Sequence, residues 1–234
     1  MTPKIRRLIG PALTAAIGTF ILLGLGTWQV YRLQWKLGVL AQIDAGERGA
    51  PAPLGSSPAP YSKVSVTGRF LFDKAAFYGA EVGEVGPAAV MGAQQIVPLE
   101  RPGAPPVLVD RGWIPQPTPA ATPATVQQPA GQVTVVGYVR PGEAPHWFTP
   151  APDLAERHFY VLNTEAIGLA LGLPPPAPFV IIALGPAQTG IYPIPAQHLP
   201  RPPNNHLIYA ITWYGLAVAC VVMFIVWARK QPAT

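Results

Sequence analysis

The residues of this 234-residue chain best placed to do chemistry gather at the start of its last apolar run, Asn204-Asn205-His206-Leu207-Ile208-Tyr209-Ala210-Ile211-Thr212-Trp213-Tyr214. Pro202 and Pro203 stop whatever precedes, and the asparagines offer N-cap oxygens, so a helix is expected to start almost at His206. In helical spacing Tyr209, Ala210 and Trp213 follow at i+3, i+4 and i+7 and share its face. An imidazole, a small residue and two aromatic rings on one stripe suit a flat macrocycle laid against the helix, the imidazole nitrogen serving its iron. Trp28 and Tyr31 close an earlier apolar run and offer an opposite wall. The same spacing suits an interfacial histidine bonded to headgroups or to an asparagine, and both readings stand at this point. Cys220 is excluded as a second ligand to the same iron, because 14 residues of helix separate it from His206 by about 21 Å.

Elsewhere the chemistry is thin. Glu81 and Glu84 form a close carboxylate pair, read here as solvated residues of a glycine-rich loop. Asp110-Arg111-Gly112-Trp113 ends a strand before a proline-rich turn. It reads as a structural corner, with Asp110 capping the turn and Trp113 packed, or as a docking site for a partner. His146, His158 and His198 share no ligand spacing. Metalloprotease, phosphate-loop, nucleophile-elbow and dithiol motifs are missing from the sequence, so a non-enzyme is expected. Cys220 is the single cysteine, which rules out an intrachain disulfide.

Two apolar runs must position these residues. Residues 8–31 and 207–227 carry no charge over 24 and 21 residues, enough for the roughly 20 that a hydrocarbon core requires. Aromatic residues lie near their ends, as at a membrane interface. The first run is too long for a signal-peptide core and exits through Gly26-Thr27-Trp28, which reads as an uncleaved anchor. The tails (1–7 and 228–234) hold five of the 16 basic residues and none of the 11 acidic ones, so the formal +5 resides in them. That pattern places both termini in the cytoplasm and residues 32–206 on the far side. The isoelectric point of about 9.5 is therefore topological; no basic recognition element points to nucleic acid. Composition and the lack of a transit peptide suggest a multi-pass protein of a bacterial inner membrane, its middle domain periplasmic. Gly10, Thr14 and Gly18, with Gly215 and Ala219, offer small-residue faces that join the two spans or dock on a larger complex.

The spacing of Leu33, Leu37, Leu40 and Ile43 continues the first helix until Gly46 and Gly49 end it. Strands are expected over 63–70, 76–80, 90–99, 107–113, 133–140, 158–163 and 179–184, with a helix at 164–171 and a five-proline loop at 115–129. The fold class is thus two transmembrane α-helices bracketing one antiparallel β-rich (β or α+β) domain, with a mixed α+β sheet as the alternative, and a partly closed barrel is one form it can take.

Three segments carry a family resemblance: Leu25-Gly26-Thr27-Trp28-Gln29-Val30-Tyr31-Arg32-Leu33-Gln34-Trp35-Lys36, Val107-Leu108-Val109-Asp110-Arg111-Gly112-Trp113-Ile114-Pro115, and Asn204 to Tyr214. In sequence, order and topology they resemble the surfeit locus protein 1 family. The resemblance implies a cytochrome c oxidase assembly factor that binds haem a and aids its delivery to the catalytic subunit, subunit I, or its assembly intermediates. The haem a synthesis machinery and the lipid bilayer are the other implied partners. His206 matches the family's second-helix histidine, a candidate axial ligand, with Tyr209, Trp213 and Trp28 as cofactor-binding neighbours. Where family members often carry tryptophan before Tyr160, this chain has Phe159, which points to a different contact surface. The alternatives are a cofactor-free accessory subunit or scaffold of the oxidase, and a membrane-tethered enzyme for which no turnover-competent residues are found.

Overall fold

A computed structural model describes residues 3–86, 88–115 and 125–231. Most of the proline-rich stretch expected as a loop, and the extreme ends of both tails, lie outside the described residues. The chain forms two compact units, one running up to Ala41 and from Arg201 onward, the other Gln42–Pro200.

The first unit is built from helices. Helix α1 spans Pro3–Arg48, and a last helix, α3, spans His206–Arg229. Both are long and apolar enough to cross a membrane. Their large apolar side chains face outward, Phe20 being 80% exposed and Ile17 60%, the inverse of a soluble protein's arrangement. Asn205 occupies the N-cap of α3 as expected, but its side chain does not cap; Asn204 Oδ1 accepts from His206 N at 3.4 Å instead. α1 also corrects an expectation, because Gly46 lies inside it rather than ending it. A Cβ there would collide with the Tyr61 carbonyl, so glycine is required for close approach of the chain. Gly49 does follow the last helical residue, donating to the carbonyls of Ala45 and Gly46 at 3.0 and 3.2 Å.

The second unit is a sheet of β1 (Ala52–Pro53), β2 (Lys63–Phe70), β3 (Ala76–Val85), β4 (Ala88–Arg101), β5 (Ala104–Pro115), β7 (Gln132–Pro141), β8 (His158–Phe159) and β9 (Phe179–Ala183). Strands β6 (Thr125–Val126) and β10 (Ile191–Tyr192) pair separately, and helix α2 spans Thr164–Ala170. The order is β1-β2-β7-β9-β5-β4-β3-β8, and β2 pairs with β4 as well. Strands β2, β7, β9, β5 and β4 therefore close a five-stranded ring. Val64, Val66, Leu99, Val107, Val109, Val139, Phe179 and Ile181, alternate residues of those strands, make one buried cluster. Leu108 and Val180, of the other parity, are fully buried too, as is Ile167 of α2, so these strands are covered on both faces.

The sheet is mixed, not antiparallel. β9 runs antiparallel to β7 but parallel to β5, and β1–β2, β3–β8 and β6–β10 are also parallel. Parallel pairing needs a long connection, and between β5 and β9 the chain passes through β7 and α2 before it returns beside β5. Asn163 caps α2, its Oδ1 accepting from Ala166 N at 2.9 Å. Strand β3 is longer than expected because a bulge between Tyr78 and Glu81, with Gly79 at φ +68°, absorbs the break in its alternation. Glu81 and Glu84 thus lie on a strand, not in a loop. His158 Nε2 sits 2.6 Å from the Gly79 carbonyl at that bulge. Phe159 is 4% exposed, so the departure from the family pattern lies in the core rather than on a contact surface.

The ring closes where Arg69 pairs with Glu100 and Phe70 with Leu99. A Cβ on Gly68 would meet the Glu100 carbonyl and lie 2.8 Å from Leu99 Cγ. Gly68→Ala is therefore expected to destabilise the domain by about 1–3 kcal/mol, read as a lower urea midpoint. Arg69→Ala, which removes only an exposed ion pair across the same seam, should leave the midpoint nearly unchanged. Equal losses in both variants would place the closure energy in the ion pair.

Candidate functional site

The expected site residues all lie in the helical unit, but the structure divides them. His206, Ala210, Tyr214 and Ala217 turn toward α1, which answers with Gly18, Gly26, Thr27 and Gln29. Gln29 is 9% exposed, and its Oε1 lies 2.7 Å from His206 Nδ1. Thr27 Oγ1 and Tyr214 OH share a hydrogen bond of 3.1 Å. A Cβ on Gly26 would stand 2.8 Å from the Tyr214 ring, so the helices meet there at glycine distance. Further along, Cys220 Sγ approaches the Ala15 carbonyl at 3.7 Å.

Tyr209 and Trp28 are each 53% exposed and lie on the outer surface, and Trp213 is half-buried. The seam runs 206, 210, 214, 217, so Tyr214 rather than Trp213 follows Ala210 along it. Of the small-residue faces, only Gly18 meets α3 closely, lying near Cys220 Sγ, while Gly215 and Ala219 face outward. Gln29 is the neighbour that sequence spacing missed. Its signal was a lone amide near the end of an uncharged run, where a polar side chain needs a partner.

The chemistry available follows from donor and acceptor rules. An amide oxygen only accepts, so in the neutral ring Nδ1 carries the proton and donates to Gln29. Nε2 then keeps its lone pair, which is the tautomer a metal-ligating histidine adopts when its other nitrogen is held by an oxygen. Among the described residues no group of three histidine, cysteine or carboxylate side chains could hold a bare metal ion. A single nitrogen ligand suits an iron whose other positions are filled by a macrocycle better than a free ion.

In the β unit, the Asp110-Arg111-Gly112-Trp113 segment is a structural corner. Asp110, 4% exposed, accepts from Gly112 N through Oδ1 at 2.9 Å. Gly112 stands at φ +119° against the Ile194 carbonyl, a place only glycine fits. The Trp113 ring packs over Gly83 and Gly92, and its Nε1 donates to the Glu81 carbonyl at 3.1 Å. Asp110, Trp113, Glu81, Tyr138 and Arg140 line one cleft of about 590 Å³. Arg140 is engaged there by Tyr78 OH at 3.2 Å and, outside the cleft lining, by Glu143 at 2.6 Å. Glu81 accepts from Gln94 Nε2 at 2.9 Å, and Glu84 lines the same cleft.

A family model described as the SURF1 family matches residues 16–218. Among curated relatives, the SURF1-like protein of Rickettsia conorii is 30% identical over 220 residues, covering 91% of this chain and 89% of its own. Surfeit locus protein 1 of Homo sapiens is 30% identical over 226 residues, covering 88% of this chain and 73% of its own. The protein of that name from Xenopus tropicalis is 29% identical over 223 residues, covering 88% and 71%.

Burial raises the Asp110 carboxyl from an ordinary 3.8 to about 7, against the opposing pull of the Gly112 hydrogen bond and of Arg140. Between those values the unfolded chain has released a proton that the folded chain keeps. Stability should therefore fall as pH rises from about 4 to about 7, then level off. Asp110→Asn keeps the acceptor for Gly112 N but cannot ionise. Urea midpoints at about pH 4.5 and about pH 8 should differ less in the variant than in the parent. An identical pH profile would show that Asp110 ionises freely in the fold.

Proposed function

The chain belongs to the SURF1 family, and we propose that it is an assembly factor of haem-copper cytochrome c oxidase that binds haem a and aids its delivery to subunit I or its assembly intermediates. In this reading it sits in a bacterial inner membrane, crossing twice, with both termini cytoplasmic and the β domain periplasmic. Two helices of sufficient length and the confinement of net positive charge to the tails support that placement. The haem a synthesis machinery is the partner on the supply side.

The observation that carries the haem reading is the 2.7 Å contact between His206 Nδ1 and Gln29 Oε1. It orients the ring and leaves Nε2 as a donor at the first residue of α3. Tyr209 and Trp28 offer exposed aromatic surface to a flat ligand, and half-buried Trp213 lies one turn further along. Haem a is cargo in this scheme, and its redox chemistry belongs to the oxidase that receives it. The chain's own residues bind, orient and shield. His206 supplies the iron ligand, Gln29 fixes the tautomer, and the aromatic rings exclude lipid and water from one face. No turnover is assigned to the chain.

Purified from haem-a-producing cells, the protein should carry an oxidised haem spectrum that His206→Ala abolishes or strongly weakens. Gln29→Leu keeps the donor nitrogen but frees the ring, and haem affinity should drop about 10–100-fold. Unchanged haem content in His206→Ala would remove the ligand assignment. Haem-free parent protein that co-purifies one-to-one with mature oxidase would instead establish an accessory subunit.

A further inference from the structure

Arg111 has surroundings that the packing of the sheet does not explain. It follows Asp110 on β5, so the two side chains leave opposite faces of the strand, and they line different clefts. The guanidinium lies over the rings of Phe70 and Phe72, 5.1 and 5.0 Å from their centroids. Among the described residues its one hydrogen bond runs from Nη1 to Gln95 Oε1 at 3.0 Å, and Gln95 is itself 5% exposed. A guanidinium has five donor hydrogens, so most of its capacity is unused. Among the described residues no carboxylate pairs with it. The remaining residues of the chain contain neither aspartate nor glutamate. Burial accordingly pulls Arg111 down to about 10, with no acid nearby to raise it again, and it stays charged at neutral pH.

A half-buried cation without a counter-ion is costly, and natural chains keep such groups where a ligand completes them. Arg111 lines a cleft of about 340 Å³, a size at the lower end for small-ligand sites. Its walls are otherwise uncharged: Phe70, Val133, Leu184, Ile191 and Pro193 supply apolar surface, and Gln127 and Gln188 add neutral polar groups. A planar fork of donors at one point of an apolar cleft matches a carboxylate borne on an apolar body.

We propose that this cleft is a binding site for an amphipathic carboxylate, anchored by Arg111, either as a small organic acid or as the free carboxyl end of an apolar peptide. Phe70 holds the guanidinium in place by stacking, and Gln95 fixes its rotation while leaving its remaining hydrogens to the ligand. The cleft lies within the β unit and is independent of the haem reading.

The probe is 4-phenylbutyrate, titrated by calorimetry into the purified, haem-free full chain, with 4-phenylbutyramide and inorganic phosphate as controls. The acid should bind, the amide and phosphate at least ten-fold more weakly. Arg111→Gln should reduce acid binding at least ten-fold, and Arg111→Lys, which keeps the charge but loses the fork, should fall between. Without ligand, Arg111→Gln should unfold at the same temperature as the parent or higher, because it removes an uncompensated cation. Equal binding of acid and amide, phosphate binding as tight as the acid, or unaltered binding in Arg111→Gln would overturn the proposal. So would a marked loss of unliganded stability in Arg111→Gln together with no acid binding by the parent, which would make Arg111 a structural residue. A short apolar peptide with a free carboxyl end, compared with its amidated form, separates the two sources. A preference for the free end that exceeds the affinity for the small acid assigns the site to a polypeptide terminus.

Discussion

A polar atom removed from water is costly without a partner, and both units of this protein reflect that constraint. Among the described residues Thr19 Oγ1, in the helical unit, is the one buried side-chain nitrogen or oxygen that lacks a partner. In the helical unit, Gln29 and His206 satisfy each other at 2.7 Å, and Thr27 and Tyr214 do so at 3.1 Å. Such pairs, with close contact at Gly26, set which faces of the two helices meet. The β unit obeys the same rule. His158 answers the carbonyl freed by the Gly79 bulge, Gly112 N is answered by Asp110, and the Trp113 indole by the Glu81 carbonyl. Arg111 stands apart because burial has taken its water without supplying an anion, which is why it marks a site rather than a joint.

The same constraint explains the sheet. A β-strand with open hydrogen-bonding edges is a liability, and the ring formed by β2, β7, β9, β5 and β4 removes the edges of its five members along the paired stretches. Inserting β9 between β7 and β5 is what makes closure possible. It also forces one parallel pairing, since a strand placed between two neighbours that run in opposite directions must be parallel to one of them. Close approach at the seams is then bought with glycine: Gly68 against Glu100 and Gly137 against Ile182 leave no room for a Cβ.

Much of this was legible in the sequence, for a local reason. Strand β2 falls on residues 63–70 as its alternation indicates, and α2 and β9 lie within a residue or so of expectation, because period and punctuation are written in adjacent residues. The parallel partners of β8 and β9 and the short strands β1, β6 and β10 were not legible, and β8 covers only the first two residues of the strand expected over 158–163. Two-residue strands have no periodicity, and partner choice depends on crossovers remote in sequence. The bulge at Gly79 hid the second half of β3, and with it the true setting of Glu81. In the helical unit His206 and the start of α3 were legible, but the face was not. A stripe through Tyr209 and Trp213 and a seam through Tyr214 differ by a fraction of a turn, and only the partner helix decides between them.

Asp110 and Arg111 illustrate how a motif can mislead when read along the chain. Adjacent opposite charges suggest mutual neutralisation, yet strand geometry sends neighbouring side chains to opposite faces, where they meet different surroundings. Asp110 is buried at a corner that needs its Oδ1 oxygen for a backbone N–H, and its carboxyl is pushed toward neutrality by the same burial. Arg111 cannot lower that cost, being on the far side of β5, and Arg140, which does act on Asp110, is already committed to Tyr78 and Glu143. The two charges of the motif are therefore uncompensated for separate reasons. A protonated Asp110 relieves its own burial by losing its charge, an escape closed to a guanidinium that holds its proton far above neutral pH. Of the two, only the arginine must obtain its counter-charge from outside the chain.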